Sequence, residues 1–265
     1  MKFFNRVLYK ISGNRFVQKT LQETILFCLK IMGIGSGDTA SASGEKIIFS
    51  VLAHRNKPPY CIFDVGANKG QFLSLALKSI SIDNFFIHCF EPGKTTFKLL
   101  TENSKNDSRI KLNNIGLGKE QGEMTLHYTH PGSVLASLTK RRLDHFNMDV
   151  NQSETVLIET IDNYCFLNSI KKIHLLKLDV EGHELYVLAG AQRMLDENAI
   201  DMISFEFGGC NIDTHTFFQE FWYFFLNINM QIFRITPSGY LYPIKQYEEI
   251  HEQFTTTNFL ALRKS

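Results

Sequence analysis

The 265-residue chain carries almost no surplus charge: 28 Lys and Arg face 27 Asp and Glu, a formal net of +1. Without an excess of one sign there is no field to draw in a polyanion, so nucleic acid is not an expected partner. No apolar stretch reaches the roughly 18 uninterrupted residues of a transmembrane helix, and the N-terminus lacks the unbroken apolar core of a signal peptide. Cysteines are few and odd in number, at positions 28, 61, 89, 165 and 210, with no C-x-x-C pair. That pattern reads as reduced thiols in the cytoplasm, not as a disulfide framework. There is no internal repeat. With 44% hydrophobic and 21% charged residues, the composition excludes a disordered or collagen-like chain. A chain of this length buries about three quarters of its unfolded surface, and one elaborated domain is expected. What is abundant is phenylalanine, with 23 residues.

The small net charge is unevenly spread. Residues 1–32 hold six basic residues (Lys2, Arg6, Lys10, Arg15, Lys19 and Lys30) against the single acid Glu23, and the remainder of the chain is net −4. On a helical wheel Phe4, Val7, Leu8 and Ile11 share one face and Lys2, Arg6 and Lys10 the other. A basic amphipathic helix of this kind either docks on the domain or lies on an anionic membrane, here the inner face. Gly33 to Gly44 holds four Gly and three Ser and reads as a linker or flexible lid. The expected division is therefore a leader over 1–45 and a domain over 46–265.

From Lys46 onward strand-length apolar runs alternate with helix-period segments. The runs are Tyr60–Val65, Phe85–Phe90, Ile110–Ile115, Ile173–Leu178 and Met202–Phe207; helices are predicted over Gln71–Ser79, Thr95–Glu102 and Glu184–Leu195. Such alternation, with strands apolar on both faces, means an α/β fold with a mostly parallel sheet and helices on both sides. The pattern lapses between 122 and 160, which reads as an insertion at the carboxyl edge of the sheet, where such folds bind ligands. The terminal segments Gln231–Thr236, Tyr240–Ile244 and Asn258–Arg263 look antiparallel.

Three strand ends carry chemistry. Phe63-Asp64-Val65-Gly66-Ala67-Asn68-Lys69-Gly70 closes one strand and opens a helix, offering close backbone approach and helix N–H groups to an anionic group. It is not G-x-G-x-x-G, which argues against a dinucleotide and leaves a smaller nucleoside ligand. Glu91, 25 residues after Gly66, ends the next strand, where a carboxylate can accept from both hydroxyls of a ribose. The run Leu176 to Glu184 puts Asp179 at a third strand end, with Glu181, His183 and Glu184 in the following turn. Acids in a first helical turn are favoured by the dipole, so Glu184 reads as structural. Glu206 follows a neighbouring strand, which sets it near Asp179 at one rim.

These runs, with Asn114-Ile115-Gly116-Leu117-Gly118, Gly122-Glu123-Met124-Thr125-Leu126 and Glu159-Thr160-Ile161-Asp162 in order between them, resemble the FkbM-type family of S-adenosylmethionine-dependent methyltransferases over about residues 60–207. The resemblance implies a class I methyltransferase (Rossmann-like) sheet of seven strands, ordered 3-2-1-4-5-7-6 with the last strand antiparallel. It also implies methyl transfer to oxygen on a sugar, glycan or secondary metabolite. Carried onto this sequence it puts Asp64, Gly66, Asn68 and Gly70 around the methionine part of the cofactor, Glu91 on the ribose, Asn114 and Ile115 near the adenine, and Asp179 at the reacting end. An acceptor hydroxyl needs a base; Asp179 comes first, then His183 and Glu206. A divalent metal on Asp179, Glu181 or Glu206 would be the other way to activate it, and is not favoured. Acceptor contacts are expected in the insertion, from His127, Tyr128, His130, Ser133 and Ser137, with Lys140, Arg141 and Arg142 available to an anionic group. The aromatic run Phe217–Phe225 reads as core packing more than as a sugar-stacking platform. A nicotinamide oxidoreductase, a non-catalytic nucleoside binder and a nucleic-acid methyltransferase are the competing classes.

Overall fold

The computed structural model describes residues 9, 12–36, 43–104 and 107–264. The predicted face of Phe4, Val7, Leu8 and Ile11 opposite Lys2, Arg6 and Lys10 lies outside them. Among the described residues two helices, α1 (Arg15–Met32) and α2 (Ile47–Arg55), precede an alternating core. That core runs β1 (Tyr60–Val65), α3 (Gln71–Ser79), β2 (Phe85–Phe90), α4 (Lys94–Asn103) and β3 (Ile110–Asn113). After three strands of the insertion, β4 (Gly116–Leu117), β5 (Gly122–Tyr128) and β6 (Gln152–Glu159), it resumes with α5 (Ile161–Leu167), β7 (Leu175–Leu178), α6 (Glu184–Ala189), α7 (Gln192–Asp196) and β8 (Met202–Phe207). The chain closes with α8 (Cys210–Asp213), α9 (Phe218–Asn227), β9 (Met230–Ile235), β10 (Leu241–Ile244) and β11 (Thr257–Arg263).

The main sheet has eight strands in the order β10-β9-β11-β8-β7-β1-β2-β3. Strands β3, β2, β1, β7 and β8 are parallel, and β11 runs antiparallel between β8 and β9. This is the 3-2-1-4-5-7-6 order of a class I methyltransferase, extended by one edge strand. The addition, β10, pairs antiparallel with β9 and contains Pro243, which costs no ladder bond at a sheet edge.

Both faces of the sheet are buried, and side-chain alternation sorts them. Phe63, Val65, Leu176, Leu178 and Phe205 face one core. Ile62, Leu175, Met202 and Leu260 face the other, against α2 and α3. Asp64 and Lys177 share the parity of Ile62 and Leu175, so two charged side chains lie on the second face at the strand tips. One face of the aromatic run packs inward: Phe218, Phe221 and Phe225 are buried, and Phe205 stacks on Phe221 at 4.9 Å between centroids, while Phe217 and Tyr223 are half exposed.

The predicted helix Glu184–Leu195 is two helices. Gly190 breaks it by packing against the backbone of Gly118, where a Cβ would stand 2.0 Å from the carbonyl oxygen, while its own carbonyl accepts from the Asp162 N–H. The insertion forms a separate sheet of three strands, β4-β6-β5, over a small core of Leu126, Val156 and Ile158. The Gly/Ser stretch after α1 is docked at both described ends: Ile34 and Ser43 are buried, and the Gly35 N–H donates to the Thr256 carbonyl at 3.0 Å.

Candidate active site

The carboxyl ends of β1, β2, β7 and β8 open into one cavity of about 1490 Å³, roofed by residues 133–138 of the insertion. The loop after β1 is its floor. Gly66, Asn68 and Gly70 all take positive φ (78°, 48° and 90°), turning the backbone sharply into α3. At Gly66 no side chain fits, because a Cβ would lie 1.8 Å from the carbonyl oxygen of Asp179. Backbone is thereby laid open to a ligand, and the first turn of α3, whose N–H groups lack helical partners, lines the cavity.

Glu91 is buried beside this loop. One carboxylate oxygen accepts from the Asn68 N–H at 3.0 Å, the other from the Gly93 N–H at 2.9 Å. Burial pushes the carboxyl up to about 7 against the pull of those two bonds. Each oxygen keeps a lone pair, so the anchored carboxylate can still accept from a diol. Asn114 props this turn from behind, its amide donating to the carbonyls of Glu91 and Pro92, and neither it nor Ile115 lines the cavity. Gly116, Leu117 and Leu126 line the cavity with Pro92.

The opposite wall is charged. Asp179 and Glu206 line it together, as does Glu181. Lys177, two residues before Asp179 on the same strand face, puts its ammonium 2.9 Å from the Asp179 carboxylate and 3.7 Å from that of Asp64. Asp64 is fully buried and stands behind the wall, not on it. Burial drives its carboxyl up to about 6, with Lys177 opposing. Burial also works against a charged Lys177, yet Asp179, Asp64 and Glu45 hold its pKa above the ordinary lysine value. Burial and the neighbouring carboxylates Asp179, Glu181 and Glu184 raise Glu206 well above the usual range. Glu184 caps the turn, accepting from the N–H groups of Val180 and Gly182, in the structural role expected of it.

Two wall residues are not signalled by the sequence. Lys177 reads as the interior of an apolar strand, although a lysine two residues before a strand-end acid shares its face. Glu45 falls in a segment that reads as a linker; it is buried, accepts from the Ser43 hydroxyl at 2.7 Å and lines the cavity near Lys177.

His183 is not among the residues lining the cavity. Its Nε2 lies 2.8 Å from the Thr139 hydroxyl, its ring packs on Tyr186, and burial lowers its pKa to about 4. His183→Gln, which can keep the Thr139 bond, should therefore leave the pH–rate profile in place and turnover within about threefold. A loss of a hundredfold or more would return the imidazole to the chemistry.

Of the acceptor residues expected in the insertion, Ser133 and Ser137 line the cavity and His127, Tyr128 and His130 do not. The Ser137 hydroxyl is spent on the Glu181 carbonyl at 2.8 Å. Arg141 is turned inward, bridging Glu181 at 2.5 Å and Asp213 at 3.4 Å, while Arg142 pairs with Asp144 on the surface. Of the three donors considered for a divalent ion, Asp179 already holds Lys177 and Glu181 holds Arg141. Among the described residues no set of three or more His, Cys, Asp or Glu converges as metal ligands.

A family model described as "Methyltransferase FkbM domain" matches residues 64–233. The chain belongs to the FkbM methyltransferase family. Among curated relatives it is similar to the hexuronic acid methyltransferase AglP of Haloferax volcanii, with 27% identity over 61% of this chain and 60% of that protein. It is also similar to the 2-O-methyltransferase NoeI of Sinorhizobium fredii, with 24% identity over 68% of this chain and 77% of that one. A solved FkbM methyltransferase from Methylobacillus flagellatus aligns at 17% identity and a TM-score of 0.44, covering 80% of this chain and 47% of that chain. This FkbM chain therefore spans 60% of the length of AglP and less than half that of the solved structure.

Proposed function

We propose that this FkbM chain is an S-adenosylmethionine-dependent O-methyltransferase acting on a hydroxyl of a sugar, glycan or similar small molecule. The observation that carries the reading is the single cavity shared by the Gly66–Gly70 loop, Glu91, Asp179 and Glu206. Its volume exceeds what one nucleoside cofactor needs and leaves room for an acceptor. The residues fit the cofactor: a backbone cradle with no space for a Cβ at Gly66, a carboxylate with spare lone pairs at Glu91, and apolar Leu117 and Leu126 beside Pro92 for the base. That AglP acts on a hexuronic acid and NoeI is a 2-O-methyltransferase supports oxygen on a sugar as the acceptor atom.

Bound S-adenosylmethionine would supply a sulfonium-activated methyl group. The chain's own residues then have two tasks. The cradle and Glu91 fix the cofactor's position, so that the barrier is lowered by orientation. Asp179 would take the proton of the acceptor hydroxyl as that oxygen accepts the methyl group; such a base contributes about 10²–10⁴-fold. Glu206, which lines the same wall as Asp179, is the second candidate for that proton.

Calorimetric titration with S-adenosylmethionine and its demethylated product tests the reading. Both should bind, and Glu91→Ala should weaken them about tenfold or more. Asp179→Asn should reduce methyl transfer to a uronate or glycan acceptor about 10²-fold or more, well beyond any loss of cofactor affinity. A native chain that binds neither ligand at millimolar concentration would falsify the proposal. If Glu206→Gln alone stops turnover, the base is Glu206.

A further inference from the structure

Helix α1 contributes nothing to either core. None of its residues is buried, and its large apolar side chains stand in solvent: Phe16 is 80% exposed, Phe27 66% and Ile31 61%. Phe16, Leu21, Ile25, Phe27, Ile31 and Met32 fall within about half of the helix circumference, whereas Arg15, Lys19, Glu23 and Lys30 share one narrow sector on the other side, into which exposed Leu26 also falls. Thr20 and Thr24, which interrupt the apolar half, donate their hydroxyls back to the carbonyls of Phe16 and Thr20 at 3.1 and 2.8 Å. Their polar atoms are thereby satisfied within the helix, and a methyl group is what each can offer a neighbour.

We propose that α1 is a membrane-surface helix, its apolar half sunk into the interface of an anionic bilayer and its basic residues against the headgroups. Charge selects this occupant. The one acid of the helix, Glu23, is paired with Lys19 at 3.7 Å, and residues 1–32 carry six basic side chains against that acid while the rest of the chain is net negative. A second copy docked face to face would bring two such basic segments together, whereas an anionic surface neutralises both. An apolar half-cylinder is also wider than the narrow seam a helical pair needs, and it matches a helix lying in an interface. No described helix is long and apolar enough to cross a bilayer, so the helix lies on the surface and does not span it. At its C-terminal end the chain passes directly into buried Ile34 and the Gly35–Thr256 bond, and Thr256 lines the cavity, so docking would hold the active site at the membrane.

Co-sedimentation of the full chain with phosphatidylcholine vesicles containing about 30% phosphatidylserine tests this. Binding should fall about tenfold or more in Phe27→Glu/Ile31→Glu and about fivefold for each charge lost in Lys19→Gln and Lys30→Gln. It should also weaken as salt is raised. These variants should keep native affinity for S-adenosylmethionine and native melting temperature, since the side chains touch neither core nor cavity. Equal binding to pure phosphatidylcholine, or no vesicle binding by the native chain, overturns the proposal. A dimer in sedimentation equilibrium that Phe27→Glu/Ile31→Glu dissociates, without lipid binding, would assign the face to a second copy.

Discussion

Gly66→Ala should lower affinity for S-adenosylmethionine at least a hundredfold and cost about 4 kcal/mol of stability, or roughly 10 °C of melting temperature. Two effects add. The residue holds a φ of 78°, where any Cβ is strained, and that Cβ would lie 1.8 Å from the Asp179 carbonyl oxygen, backbone that cannot rotate away. Relief requires the tips of β1 and β7 to separate. Those tips are joined by the bond from the Asp179 N–H to the Val65 carbonyl at 3.0 Å, and the same movement displaces Asp179 from Lys177. Loss of binding therefore comes from both the cradle and the opposite wall. Gly209→Ala is the matched control: its φ of −61° suits alanine and the nearest atom to a new Cβ is 3.8 Å away, so stability should stay within about 0.5 kcal/mol of native. Thermal melting and calorimetry of the two variants decide the matter, and a Gly66→Ala protein with native affinity would show that the loop does not cradle the cofactor.

Much of this architecture is legible in the residues themselves. Tyr60–Val65, Phe85–Phe90 and Met202–Phe207 are strands with the predicted limits, because each is a short, mostly apolar run punctuated by Gly, Pro or a polar turn, and its length separates it from a helix. Glu91, Asp179 and Glu206 share the cavity because parallel strands end on one rim, so a strand-end position suffices to gather them. The turns beyond the strand ends are less legible. His183 and Asn114 lie in turns whose direction is set by positive φ at Glu181 and Gly182 in one case, and by contacts to Glu91 and Pro92 in the other. Neither signal is visible as a pattern. Lys177 is hidden for the opposite reason: in an apolar run a single lysine reads as tolerated, and only the register that sets it beside Asp64 reveals a charge cluster. Glu45 reaches the wall through the docking of a Gly/Ser segment, a tertiary event without a local periodicity.

That charge cluster supplies the second large effect. Lys177→Met should destabilise the chain by about 3–5 kcal/mol near pH 8 and by distinctly less near pH 5.5. The native ammonium lies between the carboxylates of Asp64 and Asp179 and over the ring of Phe72 at 5.4 Å, and a methionine preserves the packing while removing the charge. Linkage fixes the sign. Asp64 and Glu91 have folded pKa values of about 6 and 7, raised above their unfolded values, so they bind protons more tightly when folded. The stability they contribute is complete below the unfolded carboxylate range and is lost as pH rises through about 6 and 7. Lys177, itself raised, stays charged throughout this window and contributes a constant term. The native unligated protein should therefore melt higher at pH 5.5 than at pH 8. Without the ammonium, Asp64 loses the charge that opposes its burial, its pKa climbs further, and ionising it near pH 8 leaves an unpaired charge in the core. The variant should consequently show a steeper fall in melting temperature with pH than the native chain, together with weakened cofactor binding as Asp179 is released. Equal destabilisation at both pH values would mean that the lysine acts through packing alone; no destabilisation would mean that the carboxylates do not depend on it.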